Sequence, residues 1–514
     1  MLPEVIKEEI CFSCGKEPSS ANKTGEWRFL TPEKGSRLSP CRQGCLLNGE
    51  IPVWLEAVKN GKWEEAWQIV SSYNPFPALT GHVCFHPCTE NCNRGQLDQS
   101  IEIDAVERAI GEWRLRNYKR QDKPKGISGK AAVVGSGPAG LSCAYYLNEA
   151  GYIVTVFERE KVIGGMFALG IPEYRLPRRI LKKEIDVLKE EGIKFISGCN
   201  IGKDVQLSEL YEEYGNVFLA PGAWKPRKAG IPGEEYSGVW NALDFLSLVN
   251  SGQPPAIEDP VVVIGGGNAA VDSARCALRM NGVNHVKLIY RRSRVEMPAN
   301  QTEVEAAEHE GVELVFNALP REIEKGNSYV KTVIFDHCKT NREGLTVDQS
   351  RSFKENCGTV IMALGQEIDL SVFGKLEKEA IIFAGGDLVS GPATVPEAIR
   401  AGRIAAMTII ARSSGLPEPE LMLPVEDPVA FEDLNLEAKI NLSLQQKQAE
   451  PNEEAGRCLG CGTCNSCGIC YIFCPDMAVE IVGNRYQINM DYCKGCGICV
   501  QECPAQAMLM EGGR

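Results

Sequence analysis

The chain has 514 residues, 44% of them hydrophobic, a formal net charge of -13 and 22 cysteines. At roughly 150 residues per domain this length predicts three or four domains with sizeable cores, and the acidic balance counts against nucleic acid or an anionic membrane as partner. Met1–Ile10 has neither the basic start nor the apolar centre of a signal peptide, and no apolar run approaches the roughly 18 residues of a membrane span, so the expectation is a cytoplasmic protein without a membrane segment.

Cysteines in such numbers point to metal or redox chemistry rather than a disulfide scaffold. Seven precede residue 93 and ten follow residue 457. The other five (Cys143, Cys199, Cys276, Cys338 and Cys357) are scattered and read as buried small residues. None of them forms the C-x-x-C dithiol of a thioredoxin-reductase-type enzyme.

Residues 1–125 read as a helical, cysteine-bearing domain. In Pro52–Val70, Trp54, Leu55, Val58, Trp63, Ala66, Trp67 and Val70 recur at helical spacing, as core positions do. Ile101–Tyr118 is a second amphipathic helix. The cysteines come as Cys11-x2-Cys14, Cys41-x3-Cys45 and Cys84-x3-Cys88-x3-Cys92. Zinc competes for them, but seven thiols exceed one four-ligand site and fall one short of two. TGHVCFHPCTENCNRG followed by IEIDAVERAIGEW resembles the N-terminal iron–sulfur domain of the glutamate synthase small-subunit family, shared with dihydropyrimidine dehydrogenase and bifurcating ferredoxin:NADP oxidoreductases. That resemblance implies two [4Fe-4S] clusters on interleaved cysteines. Cys11, Cys14, Cys41 and Cys92 would hold one; Cys45, Cys84 and Cys88, completed by Glu107, would hold the other. A solvated helix face is the other reading of Glu107. The chain departs from the family between Cys14 and Cys41, where 26 residues replace a handful, and at Leu46, where the family has proline. A single cluster on the five cysteines from Cys41 to Cys92 is the alternative.

After a linker at Gly126–Gly129, Ala131–Val134 is an apolar strand running into Gly135-x-Gly137-x-x-Gly140, with Pro138 and Ala139 inside the turn. A helix follows, then the strand Ile153–Phe157 ending at Glu158 and Arg159. Tight turn, pyrophosphate approach and helix–strand packing each require one of these glycines; the phosphates sit at the helix N-terminus and Glu158 accepts from a ribose hydroxyl. The family signature continues in GGMFALGIPEYRLPRRIL, where Gly164 and Gly165 let backbone approach the flavin, and in AIIFAGGDLVSGPATVPEAIRAGRIAA. In the second stretch the resemblance makes Gly386 and Asp387 the ribityl site and aims a helix starting near Thr394 at the isoalloxazine. Residues 126–255 and 365–415 are thereby expected to bind FAD.

Nested at 256–364 is a second dinucleotide fold, PVVVIGGGNAAVDSARCALR, with Gly265-x-Gly267-x-x-Ala270 and Asn268 and Ala269 in the turn. Its next strand, Val286–Tyr290, ends in Arg291-Arg292, not in an acid. A carboxylate there suits NAD, whereas paired arginines suit the 2′-phosphate of NADP. Plain surface charge is the competing reading.

Residues 416–455 are polar and acidic, a linker, and 456–514 are a ferredoxin. Cys464-x2-Cys467-x2-Cys470-x3-Cys474-Pro475 recurs as Cys493-x2-Cys496-x2-Cys499-x3-Cys503-Pro504. In this two-cluster pattern the fourth cysteine of each run crosses to the other cubane. Cluster I therefore takes Cys464, Cys467, Cys470 and Cys503; cluster II takes Cys493, Cys496, Cys499 and Cys474. Cys458 and Cys461 are left over, as spare thiols or an alternative register.

The fold class expected is multidomain α/β: a helical iron–sulfur domain, two nested Rossmann-like folds and a C-terminal α+β ferredoxin. Nicotinamide carries hydride pairs, clusters carry single electrons and a flavin handles both. The chain thus reads as a flavoprotein passing electrons between NAD(P)(H) and iron–sulfur clusters. The fused ferredoxin, the NKTGEWR insertion and the altered first cysteine motif resemble NAD(P)-reactive subunits of anaerobic multi-subunit enzymes such as 2-oxoacid:acceptor oxidoreductases. A glutamate synthase small subunit, a stand-alone enzyme working with a soluble ferredoxin, and a scaffold with degenerate sites are the alternatives.

Overall fold

A computed structural model describes residues 23–34, 37–120, 129–326, 329–341, 344–369, 382–418, 427–437, 450–483 and 485–512. They form two compact units. One holds the described residues up to Tyr73, His86–Ile110 and those after 421; the other holds Asn74–Phe85 and Gly111–Leu421.

The second unit contains two Rossmann-like sheets. In the first, five parallel strands lie in the order Ile382–Ala384, Gly215–Leu219, Lys130–Val134, Ile153–Glu158, Lys194–Ser197. The chain therefore enters at the centre, builds one side and returns to build the other. This leaves a switch point beyond the carboxyl ends of Lys130–Val134 and Gly215–Leu219, where such sheets bind ligands. The helix Val395–Ser413 crosses the helix Pro138–Glu149 closely; a Cβ on Gly402 would stand 2.0 Å from the Ala139 carbonyl oxygen.

The nested sheet repeats the logic in the order Glu313–Phe316, Val286–Tyr290, Val261–Ile264, Thr359–Met362, Val239–Asn241, all parallel. Its last strand corrects an expected boundary. Val239–Asn241 and the helix Ala242–Asn250 were assigned to the flavin fold by a border at 256, yet Phe245 and Leu246 are buried in the nested sheet's core. Burying side chains of that size contributes roughly 1.5–3 kcal/mol each, so the packing decides where the fold begins. An antiparallel meander, Ala318–Lys325, Val330–Asn341 and Gly344–Asn356, covers its other core.

In the first unit, the Pro52–Val70 stretch is two helices, Ile51–Lys59 and Trp63–Ser71, broken at Asn60–Lys62 where Gly61 takes φ +70°. Trp54 and Trp67 are buried as core, as their spacing predicts; Trp63 is only half-buried. The second predicted helix is Ile103–Arg116. The C-terminal segment has a hairpin, Val479–Val482 with Arg485–Ile488, and two single-turn helices, Ile469–Ile472 and Ile498–Gln501. Its last strand, Met508–Gly512, pairs antiparallel with Leu30–Lys34 from the opposite end of the chain. Within the NKTGEWR insertion, Thr24 and Gly25 strap the same region: Thr24 Oγ1 donates to the Tyr492 carbonyl at 2.7 Å, and the Gly25 N–H donates to that of Asp491 at 2.8 Å. Among the described residues no helix is long and apolar enough to cross a membrane.

Candidate functional site

At the first switch point lies a cleft of about 1020 Å³, open to solvent and lined by Gly135, Gly137, Pro138, Ala139, Glu158, Arg159, Gly165, Gly386, Asp387 and Thr394. All ten were predicted from sequence to face a dinucleotide. Gly135 takes φ +102°, and a Cβ there would meet the Ala220 carbonyl oxygen at 2.2 Å. Gly140 lies behind the cleft, where a Cβ would fall 1.9 Å from the Gly135 oxygen, so it sets the helix against the strand. At Gly137 a Cβ would project into open space. Here a phosphate can approach the N-terminus of Pro138–Glu149.

Glu158 is buried and already engaged. Its Oε2 accepts from the Ser136 N–H at 2.8 Å and the Ser136 hydroxyl at 2.6 Å, and its Oε1 accepts from the Glu160 N–H at 2.8 Å. The acid thus fixes the turn's shape, and a carboxylate's four lone-pair sites leave room for a ribose hydroxyl. Asp387 Oδ1 accepts from the Ala393 N–H at 3.2 Å. Burial pushes its pKa up to about 6, against that N–H and with the nearby Glu397 charge. Thr394 caps the helix Val395–Ser413 in a capping box, its N–H and hydroxyl donating to Glu397 Oε2 at 2.8 and 2.7 Å. The helix's positive end lies at the cleft. The Arg159 guanidinium sits 5.7 Å from the Trp224 ring. These groups fit FAD: open space over a glycine turn, a helix N-terminus suited to an anion and two carboxylates, Glu158 and Asp387, lining the same cleft.

In the nested fold, the turn at Gly265–Gly267 joins the strand Val261–Ile264 to the helix Asn268–Leu278. A Cβ on Gly267 again meets only open space. Asn268 Oδ1 accepts from the Asn300 N–H at 2.9 Å, and Ala269 follows it at the first helical turn. The three arginines after the second strand differ. Arg294 is committed to Glu308 through two hydrogen bonds of 2.7 and 2.6 Å. Arg291 and Arg292 make no ion pair among the described residues; Arg291 is exposed and the Arg292 Nε is buried without a hydrogen-bond partner. They are the pair available for a 2′-phosphate.

A buried charge network joins the segment after Gly165 to this fold, and sequence patterning gives no sign of it. Arg175 donates to Asp272 at 2.8 Å and pairs with Glu303 at 3.3 Å. Arg275 pairs with Glu303 and, at 2.7 Å, with Glu310, while Tyr174 lies under the guanidinium groups of Arg275 and Arg279. Arg175 and Asp272 stand 97 residues apart, too far for a local signal.

In the other unit the ferredoxin cysteines of the two runs come near one another. Burial raises the Cys470 pKa to about 11, helped by the charges of Cys464, Cys467 and Cys503. Burial likewise raises that of Cys499 to about 12, with Cys493, Cys470, Cys496 and Cys474 as its neighbours. The N–H groups of Ala478 and Ala507 donate to Cys474 and Cys503 at 3.2 and 3.3 Å, one in each run. Among the described residues no group of His, Cys, Asp or Glu gathers as ligands of a single metal ion; a cubane spaces its thiolates more widely than one ion does.

The N-terminal expectations fare unevenly. Cys45, Cys88 and Glu107 surround the buried Tyr73 hydroxyl, whose pKa burial and their charges raise. Glu107 is buried 3.5 Å from His86 Nε2, not on a solvated face. Cys84 caps the helix Pro77–Val83, four residues before Cys88. Burial raises the Cys41 pKa, and the charges of Cys458, Cys92 and Cys461 raise it further. Cys11 and Cys14 lie outside the described residues.

The pyridine nucleotide-disulphide oxidoreductase family matches residues 129–402. The dihydropyrimidine dehydrogenase domain II, 4Fe-4S cluster family matches 36–119, and the 4Fe-4S binding domain matches 486–509. The beta subunit of the NADP(+)-dependent formate dehydrogenase of Moorella thermoacetica is 37% identical over 72% of this chain and 59% of its own length. The NADPH-Fe(3+) oxidoreductase subunit beta of Geobacter sulfurreducens is 35% identical over 75% of this chain and 66% of its own. The chain thus spans less than two thirds of either. The glutamate synthase [NADPH] small chain of Azospirillum brasilense is 30% identical over 75% of this chain and 89% of its own. FprA from Mycobacterium tuberculosis shares the fold over 56% of this chain and 85% of its own, at TM-score 0.50 and 19% identity. With FAD- and nucleotide-binding folds in the middle and 4Fe-4S domains at both ends, the chain belongs to the pyridine nucleotide-disulphide oxidoreductase family, in an iron–sulfur branch with the glutamate synthase small chain.

Proposed function

We propose that the chain moves electrons between NADP(H) and iron–sulfur clusters, as the nucleotide-reactive subunit of a larger anaerobic oxidoreductase such as a 2-oxoacid:acceptor oxidoreductase. One observation carries this reading: a single chain holds two dinucleotide turns and two complete ferredoxin cysteine sets. Bound FAD supplies the exchange between a hydride pair and single electrons. The chain's own residues bind and orient. Glu158 and Asp387 hold sugar hydroxyls, the helix ends at Pro138 and Thr394 face negative charge, and Arg291 and Arg292 hold the nucleotide's 2′-phosphate. The eight ferredoxin thiols and the N-terminal cysteines hold clusters. No side chain is assigned a proton-transfer step. The relatives' names pair similar chains with formate, ferric iron and glutamate chemistry, which supports a shared nucleotide side joined to different partners. The extra ferredoxin counts against a glutamate synthase small subunit.

The test is an electron count. Protein reduced anaerobically with dithionite and then desalted is mixed with NADP+, and NADPH is read at its absorbance band. FAD alone returns about one NADPH per chain, and each further pair of cluster electrons adds another. The expected yield is above one, falling in a Cys467→Ser/Cys496→Ser variant. A yield of one in both proteins contradicts the reading.

A further inference from the structure

The two thiols left outside the ferredoxin sets, Cys458 and Cys461, have a place. Cys41 is buried, within electrostatic reach of Cys458, Cys92 and Cys461. The Asn93 amide, next to Cys92, donates to Cys461 Sγ at 3.6 Å and to the Val429 carbonyl at 3.0 Å. The Gly460 N–H donates to Cys458 Sγ at 3.3 Å. On the Cys41 side, the Arg37 N–H donates to the Gly462 carbonyl at 3.1 Å, and Leu38 accepts from the Val429 N–H at 2.9 Å.

Two buried arginines, each beside a cysteine, rivet these strands together. Arg94 follows Cys92 by two residues and donates to the Arg457 carbonyl at 2.8 Å; Arg457 immediately precedes Cys458. Asp98 takes Arg94 at 2.6 and 2.7 Å and Arg457 at 3.1 Å, while Glu454 takes Arg457 at 2.5 Å. Two buried cations therefore meet two carboxylates, the condition on which buried charge is tolerable. The pairing fixes Cys458-x2-Cys461 against Cys41 and Cys92 across more than 360 residues of sequence.

We propose that Cys41, Cys92, Cys458 and Cys461 ligate one [4Fe-4S] cluster, closed by the far end of the chain rather than by Cys11 and Cys14. Cys41 and Cys461 are buried and Cys92 and Cys458 half-buried; the site carries N–H donors to sulfur and presents four thiols, as a cubane requires. Only Gly462 and Thr463 separate Cys461 from Cys464, the first ligand of ferredoxin cluster I. On the proposed electron-transfer reading, this puts an N-terminal centre and a ferredoxin centre three residues apart along the chain, a direct relay.

The test compares the full-length protein with two double variants, Cys458→Ser/Cys461→Ser and Cys11→Ser/Cys14→Ser, all purified anaerobically. Iron, sulfide, zinc and FAD are quantified, and the dithionite-reduced clusters are spin-counted. The expected wild-type content is about sixteen irons, from four irons in each of four clusters. The Cys11→Ser/Cys14→Ser variant keeps all of them; the Cys458→Ser/Cys461→Ser variant loses about a quarter of iron and spins with FAD unchanged. The reverse pattern, zinc at the site, or an unchanged content in the Cys458→Ser/Cys461→Ser variant overturns the assignment. If that variant does not fold, the Cys11→Ser/Cys14→Ser protein alone decides, since loss of about a quarter of its iron overturns the proposal. Flavin bleaching by NADPH, followed in the same samples, reports on the electron-transfer reading separately.

Discussion

Replacing Arg291 and Arg292 together by alanine raises the KM for NADPH by about two orders of magnitude and leaves the KM for NADH nearly unchanged. The two guanidiniums stand at the end of the strand Val286–Tyr290, without an ion pair among the described residues. A hydrogen bond to a charged group contributes about 1.5–3 kcal/mol, and exposure of Arg291 places its share at the low end. Two such bonds therefore come to about 3 kcal/mol, a factor of about one hundred in binding. Arg294→Ala is the control. Its guanidinium is held by Glu308, so its loss leaves the ratio between the two nucleotides unchanged. Steady-state kinetics with both nucleotides check this, and equal losses for NADPH and NADH would show the arginines to be plain surface charge.

The second large effect is on stability. Arg175→Ala destabilises the flavin and nucleotide folds by about 3 kcal/mol at neutral pH, the cost of breaking a buried pair from one side. The Arg175 and Asp272 side chains are 9% and 7% exposed. Burial already pushes Asp272 up to about 6, with Arg175 opposing it. Without Arg175 the folded-state pKa rises further above the unfolded value. The folded protein then holds a proton that the unfolded chain has lost, so its stability falls as pH rises through the folded pKa. The loss is accordingly larger at pH 8 than at pH 6, and it shrinks in an Arg175→Ala/Asp272→Asn double variant, which removes the orphaned charge. Urea unfolding at the two pH values measures it; a pH-independent loss would assign the effect to packing.

What the sequence disclosed and what it withheld differ by range. The glycines, Glu158 and the ferredoxin runs are legible because strand, turn, helix and ligand spacing are local, and the cleft collects those predicted residues at one switch point. Long-range facts were not legible. Val239–Asn250 has no mark showing which sheet it joins; only the burial of Phe245 and Leu246 decides. The break at Gly61 lies inside an apolar-periodic stretch that reads from sequence as one helix. Arg294 looks like its neighbours until Glu308 is seen beside it. Cys458 and Cys461 look spare in the sequence because Cys41, on which their charges act, stands at the other end of the chain.

The central claim, that this chain exchanges electrons with NADP(H) at its flavin, is tested most directly by anaerobic rapid mixing of the FAD-loaded protein with NADPH and with NADH in parallel, following flavin absorbance. The account predicts bleaching by NADPH, with NADH slower at equal concentration because it offers nothing to Arg291 and Arg292. Bleaching by neither nucleotide would contradict it.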